Sequence, residues 1–191
     1  MSDIYTAKNF KHLLGLPGFS DAMLTNHFAL YEGYVKNTNL LISLLETKEP
    51  GTPDFSEIQR RFGWEWNGMR LHELYFENMA QDPAELQSGI LKEKIEKVYG
   101  SVEHWKKGFT SIAAMRGIGW VILYQDTVSG ELFTTWINEH DGGHLSGCVP
   151  LLVMDVFEHA YITDYGIKRA DYIQSFLKVI DWSVVEKRFV S

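Results

Sequence analysis

The run Pro150-Leu151-Leu152-Val153-Met154-Asp155-Val156-Phe157-Glu158-His159-Ala160-Tyr161 constrains this chain more than any other segment. Its apolar half has the pattern of a buried strand and leads straight into Asp155. A carboxylate at the end of a buried strand is costly unless a cation meets it. A metal ion is the natural partner, and His159, four residues on, supplies an imidazole, the commonest second ligand. Two ligands do not make a site, so further ligands must come from distant parts of the chain.

Composition sets bounds on the rest. The chain has 191 residues, enough for one large domain or two small ones with an ample core. Its 45% hydrophobic and 23% charged content is that of an ordinary globular protein. A net charge of −7 argues against general nucleic-acid binding, which needs a basic footprint. No apolar run is long enough to span a bilayer, and the N-terminus lacks a basic stretch followed by an apolar one. A cytoplasmic protein without a membrane partner is therefore the expectation. Cys148 is the single cysteine, which excludes an internal disulfide and cysteine-rich metal sites. Its apolar neighbours suit an inert core position better than a nucleophile.

Periodicity divides the chain in two. Ser20 caps a predicted helix from Asp21 to about Glu46. Pro50, Gly51 and Pro53 break it, and a second helical pattern runs from about Phe55 to Met79. Two long helices joined by a short turn form an antiparallel hairpin. After a junction at Gln81-Asp82-Pro83, helices are predicted from Pro83 to Tyr99 and from Val102 to Met115. Strands follow at Trp120–Tyr124, Glu131–Ile137 and Cys148–Asp155, and Arg169–Phe189 is predicted helical. The fold class is α+β: a helical hairpin domain over 1–82, then an α/β domain over 83–191 with a three-stranded antiparallel sheet flanked by helices.

Seven histidines are available. His27 shares one helical face with Tyr31, Tyr34 and Thr38. His72 lies in the second helix, and an antiparallel hairpin could bring both inward at similar height. Spacing alone does not establish that, and either imidazole taken singly reads equally as a hydrogen-bonded core residue. His140 and His144 flank Asp141-Gly142-Gly143, whose glycines argue for a loop rather than a helical ligand pair. His104 belongs on a solvated helix face, and His12 receives no role.

The segment Asp155-Val156-Phe157-Glu158-His159-Ala160-Tyr161 resembles the Asp-Val-Trp-Glu-His-Ala-Tyr signature of the iron/manganese superoxide dismutases. His72-Glu73-Leu74-Tyr75-Phe76-Glu77-Asn78 is similar to that family's second-helix His-x-x-Phe-Trp-x-Asn. Gly117-Ile118-Gly119-Trp120 is similar to its Gly-Ser-Gly-Trp strand entry. Arg169-Ala170-Asp171-Tyr172 with Asp181-Trp182, and Tyr34-Val35-Lys36-Asn37-Thr38-Asn39, extend the match from about residue 20 to the end.

The resemblance implies that His27, His72, Asp155 and His159 hold one Fe or Mn ion per chain at a site between the two domains, with a solvent molecule as fifth ligand. Three imidazoles and a carboxylate suit a first-row ion that cycles between M(II) and M(III). The implied activity is disproportionation of superoxide to oxygen and hydrogen peroxide. Tyr34 would be the gate residue, Trp120 an apolar wall, and His140 the partner of the bound solvent, where many relatives place glutamine and some histidine. Gly68 occupies approximately the other position at which relatives carry that glutamine. Glu158 would reach across a twofold interface to the partner's ligand histidine, giving a homodimer, with pairing into tetramers left open.

Several departures bear on this. The family's first-helix histidine precedes the gate tyrosine by eight residues, whereas His27 precedes Tyr34 by seven, close to two turns. An ungapped alignment would put Asn26, not His27, at the ligand position. The family's interface histidine and tyrosine are replaced by Leu30 or Tyr31 and by Ile162, and Phe157 replaces the signature tryptophan. An acidic protein must also focus an anionic substrate, and Arg70 and Lys36 are the candidate cations. Two alternatives stand beside the enzyme: a metal-binding homologue with little dismutase activity, and a non-enzymatic interaction protein on the same fold.

Overall fold

The structure is a computed structural model and describes residues 4–189. Helix α1 (Asp21–Leu45) begins where the Ser20 hydroxyl accepts from the Met23 amide, with Asp21 favourably placed in the first turn. Its buried residues recur at three- and four-residue steps: Met23, Leu24, His27, Phe28, Tyr31, Val35 and Thr38. Helix α2 (Pro53–Glu77) starts at a Thr52 cap with proline in the first turn, a position where the missing N–H costs nothing. The two pack as the expected hairpin.

The segment before α1 lies against this hairpin. Asn39 accepts from the Ile4 and Tyr5 amides and donates to the Tyr5 carbonyl, and Leu13, Leu16 and Phe19 are buried. The family resemblance begins at about residue 20; the chain before it, from residue 4 onward, covers the apolar side of α1, and residues 1–3 lie outside the described residues.

Helices α3 (Ile90–Tyr99) and α4 (Val102–Ala113) lead into the sheet. The helix expected from Pro83 starts only at Ile90. Residues 80–89 instead meet other chain segments: the Ala80 amide bonds Val179 O, and Ala84 O accepts from the Trp182 amide. Strands β1 (Gly119–Asp126), β2 (Leu132–Asn138) and β3 (Cys148–Asp155) form an antiparallel sheet of order β2-β1-β3. The central strand is buried along nearly its whole length. Helix α4 packs on β1 and β2, α3 on β2, and α2 on β3.

The register places Trp120 opposite Asp155 on one side and Ile137 on the other. A bulge shifts the β1–β3 pairing from Leu123–Leu152 to Tyr124–Pro150, at a residue that cannot donate to the ladder. After β3 come a short 3-10 turn (Glu158–Ala160) and helices α5 (Ile162–Tyr165), α6 (Arg169–Lys178) and α7 (Trp182–Arg188). The expected C-terminal helix is therefore two helices. The break falls at Ile180, which bridges to Met79, while the Asp181 amide donates to Asn78 O and its carboxylate caps α7.

Candidate metal centre

Four side chains from four elements converge at the junction of hairpin and sheet. His27 comes from α1, His72 from α2, Asp155 from the end of β3 and His159 from the 3-10 turn. Their ligand atoms all lie within 4.8 Å of one another. Asp155 Oδ2 is the common point, 3.2 Å from His27 Nε2, 3.6 Å from His72 Nε2 and 3.0 Å from His159 Nε2. Asn26 is exposed while His27 is buried, so the shorter His27–Tyr34 spacing runs along an uninterrupted helix and still brings both residues to the site. No distortion is needed, because seven residues make almost two full turns.

Local structure aims each ligand. Gly119 O accepts from the Val156 amide, and Asp155 Oδ1 accepts from the Phe157 amide at 2.8 Å. That side chain–backbone bond turns the chain, and the 3-10 turn carries His159 back onto the same carboxylate. Tyr172 donates to Asp155 O at 2.7 Å and is linked to Tyr75 at 3.1 Å. Asn78, at the end of α2, donates to Val153 O and ties the helix bearing His72 to the strand bearing Asp155.

The tautomer of His72 tests whether a cation fits. Its Nδ1 lies 2.5 Å from Gly68 O, which can only accept, so the proton is on Nδ1. Nε2 is left as a bare lone pair, buried, with no hydrogen-bond partner. It faces the oxygen of a buried carboxylate. Two electron-rich atoms directed at each other in the interior are stable only around an electrophile. The donor set of three imidazole nitrogens and one carboxylate oxygen suits a first-row transition ion.

The electrostatics agree. Burial alone would raise the Asp155 pKa, yet the neighbouring His159 and His27 imidazoles hold it well below the usual carboxylate range. His72 is pushed far down, first by burial and then by the adjacent His27; His27 is lowered by burial despite Asp155. The carboxylate is thus ionised and these two imidazoles neutral near pH 7, the forms that ligate.

Around the ligands lies a polar–aromatic rim. Trp120 Nε1 donates to His140 Nδ1 at 3.1 Å, and the other nitrogen, Nε2, lies 2.7 Å from the Tyr34 hydroxyl. Since indole N–H only donates, His140 Nδ1 is bare and Nε2 carries the proton given to Tyr34 Oη. Burial lowers His140 to about 4 and raises the Tyr34 phenol, so His140 is neutral and Tyr34 protonated. Tyr34 stacks on His72 with ring centres 5.2 Å apart, and Phe157 stacks on both His140 and His159. Gly68 lies directly beneath Tyr34: a Cβ there would stand 2.5 Å from Tyr34 Cδ1.

Other expected positions differ. Arg70 is bound to buried Glu73 at 2.6 Å and lies over Tyr5 and Trp66, and Lys36 lines a groove beside residues 4–7. The cation whose field reaches both Tyr34 and His140 is Arg61, paired with Glu65 and lying over Trp64, whose ring meets His140 edge-on at 4.8 Å. Nothing in the sequence motifs marks Arg61 or Trp64. Tyr31 donates to Glu73 at 3.0 Å, and Ile162 is half exposed, so neither stands in for a histidine–tyrosine pair within the chain. His144 reaches the backbone of His140 rather than the ligands.

Fold and donor set together define a mononuclear, nitrogen- and oxygen-ligated metalloprotein. A family model described as "Iron/manganese superoxide dismutases, C-terminal domain" matches residues 87–188. Superoxide dismutase [Mn] 2 of Haloferax volcanii is 35% identical over 176 residues, covering 91% of this chain and 88% of the relative. Superoxide dismutase [Fe] of Saccharolobus solfataricus is 37% identical over 166 residues, covering 83% and 79%. Superoxide dismutase [Fe] of Cupriavidus metallidurans is 35% identical over 182 residues, covering 92% and 91%. The chain belongs to the iron/manganese superoxide dismutase family. Relatives named for iron and for manganese stand at nearly the same identity.

Proposed function

We propose that this chain is a superoxide dismutase that converts two superoxide anions and two protons to oxygen and hydrogen peroxide. His27, His72, Asp155 and His159 would hold one Fe or Mn ion, which when bound supplies one-electron chemistry between its divalent and trivalent states. The observation that carries the reading is the bare, buried Nε2 of His72 facing Asp155.

The chain's own residues supply the remainder. Asp155 offsets part of the cation's charge without protonating, and its Oδ1 stays engaged with the Phe157 amide. Peroxide formation consumes two protons. Tyr34 Oη accepts from His140 Nε2, so its own O–H is free to donate to a reacting oxygen, and the side chain is only partly buried. Trp120 and Phe157 enclose the ligand histidines in apolar surface, which narrows access for larger reductants.

Purified protein loaded with Fe or Mn should carry about one ion per chain and remove superoxide, as one four-donor site implies. His72→Ala and Asp155→Ala should each retain almost no metal; normal metal content in both would defeat the assignment. Metal bound with no superoxide removal would select a binding homologue. No metal bound after loading would select an interaction protein on this fold.

A homodimer is part of the proposal. Glu158 is exposed beside the part-exposed ligand His159, and Ile162 presents apolar surface next to it. Sedimentation analysis should give twice the chain mass for the wild-type protein and a shift toward single chains for Glu158→Ala. A wild-type monomer at micromolar concentration would rule the dimer out.

A further inference from the structure

The loop after β2 holds two imidazoles, and only His140 touches the site. The loop turns tightly: Asn138 and Gly142 exchange backbone bonds, and Glu139 sits in the left-handed region at φ 54°. His140 lies at the tip. The glycines Gly142 and Gly143 follow and give the backbone freedom there that another contact must remove.

That contact is His144. Its Nε2 lies 2.8 Å from His140 O, and its Nδ1 lies 2.7 Å from the Tyr124 hydroxyl. The carbonyl can only accept, so His144 carries its proton on Nε2 and presents a bare Nδ1. Tyr124 must then donate, and burial raises its phenol well above the usual range, keeping the proton in place. Every bond in the chain Tyr124–His144–His140 O has one direction. Trp120 and Tyr124 lie four apart in β1 and so on one face of the strand. Each donates to Nδ1 of one of two histidines that are themselves four apart. The central strand thus grips the loop twice, once at the ring of His140 and once, through His144, at its backbone.

We propose that His144, oriented by Tyr124, is a positioning residue that holds His140 in register with Tyr34. This inference rests on the dismutase reading for its activity readout but not for its spectroscopic one. A shift of about 1 Å in a group of this kind costs on the order of 100-fold in rate, so a partly restrained loop should cost about tenfold.

The test uses metal-loaded wild-type protein and the variants His144→Ala, His144→Gln, Tyr124→Phe and His140→Ala, with His144→Ala also made in the His140→Ala background. Metal content, kcat for superoxide removal, the visible absorption of the oxidised metal and azide affinity are measured. The expected result is that His144→Ala keeps its metal, loses about tenfold in kcat and shifts the absorption band and azide affinity. His144→Gln, whose amide N–H can still reach His140 O, should recover most of both. In the His140→Ala background His144→Ala should add nothing, because its effect passes through His140. Unchanged kcat and spectrum in His144→Ala, or an equal further loss in the double variant, would overturn the proposal. Should His144→Ala fail to retain metal, Tyr124→Phe decides: a lowered kcat together with a displaced absorption band and altered azide affinity supports the proposal, and wild-type values overturn it. Wild-type protein that binds metal but leaves superoxide untouched defeats the dismutase reading alone, and the absorption and azide comparisons still judge His144.

Discussion

Asn26 and His27 are adjacent in sequence and have opposite environments. Asn26 is exposed, and His27 is buried against Asp155, His72 and His159. One residue of helix turns a side chain by about 100°, so a spacing argument can decide between them only if the helix is regular, and α1 is. Burial then gives the imidazoles a common property. His27, His72 and His140 all titrate below the ordinary histidine value of about 6.5, and His140 falls to about 4. Between those values the unfolded chain binds more protons than the folded one, so stability rises with pH there and is lost on acidification. His140 alone accounts for a loss on the order of 2–3 kcal/mol as pH falls through that window. Metal-free protein should therefore unfold at clearly lower urea at pH 5.0 than at pH 7.5. Equal midpoints would show that these imidazoles are not held neutral by burial.

At the scale of elements, one missing side chain joins the two long helices at the site. The three atoms nearest to a Cβ placed on Gly68 all belong to Tyr34, whose ring fills the space that Cβ would need. Alanine is the better helix former by about 1 kcal/mol, so propensity alone predicts that Gly68→Ala stabilises α2. The 2.5 Å clash with Tyr34 outweighs this, since overpacking costs roughly 1–3 kcal/mol and the neighbour is a rigid ring. Gly68→Ala should lower Tm and reduce superoxide removal together by displacing Tyr34 from His140; a raised Tm with full activity would contradict this. The long helices, the Ser20 cap and the three strands were legible because each rests on local periodicity, on a capping hydroxyl, or on breakers such as Pro50 and Gly51, whereas the Thr52 cap was not, since Pro53 read as a breaker and opens α2 instead. The segment from Pro83 to Gly89 was not. Its helical composition is overridden by contacts with α7, which claim Ala84 O for the Trp182 amide. The single C-terminal helix failed for the same reason, since Ile180 pairs with Met79.

At the scale of the molecule, Arg188 joins what the chain order separates. From α7 it donates to Asn78 Oδ1, Leu151 O, Leu74 O and Glu77 Oε2. One guanidinium thereby satisfies the end of α2 and the middle of β3, the elements that carry His72 and Asp155. Burial lowers its pKa despite the attraction of Glu77, so its removal exposes several acceptors at once. Arg188→Ala should cost about 2–3 kcal/mol in urea unfolding and weaken metal retention, because the buried acceptors at Asn78 and Leu151 lose a charged donor while Glu77 keeps Lys8. A loss within about 0.5 kcal/mol, the range of an ordinary surface change, would exclude that role.

The sequence by itself determined the two long helices, the strand that ends in Asp155, and the donors Asp155 and His159, because periodicity and the motif around His159 are local properties written in adjacent residues; His27 and His72 followed only from a family resemblance, with Asn26 left as the rival to His27. Only the tertiary structure decided that Arg61 rather than Arg70 stands by the gate, and that Trp120 and Gly68 O select the proton positions of His140 and His72. Hydrogen-bond direction and burial depend on atoms that meet across long stretches of chain, and no spacing along the chain encodes which acceptor will be there.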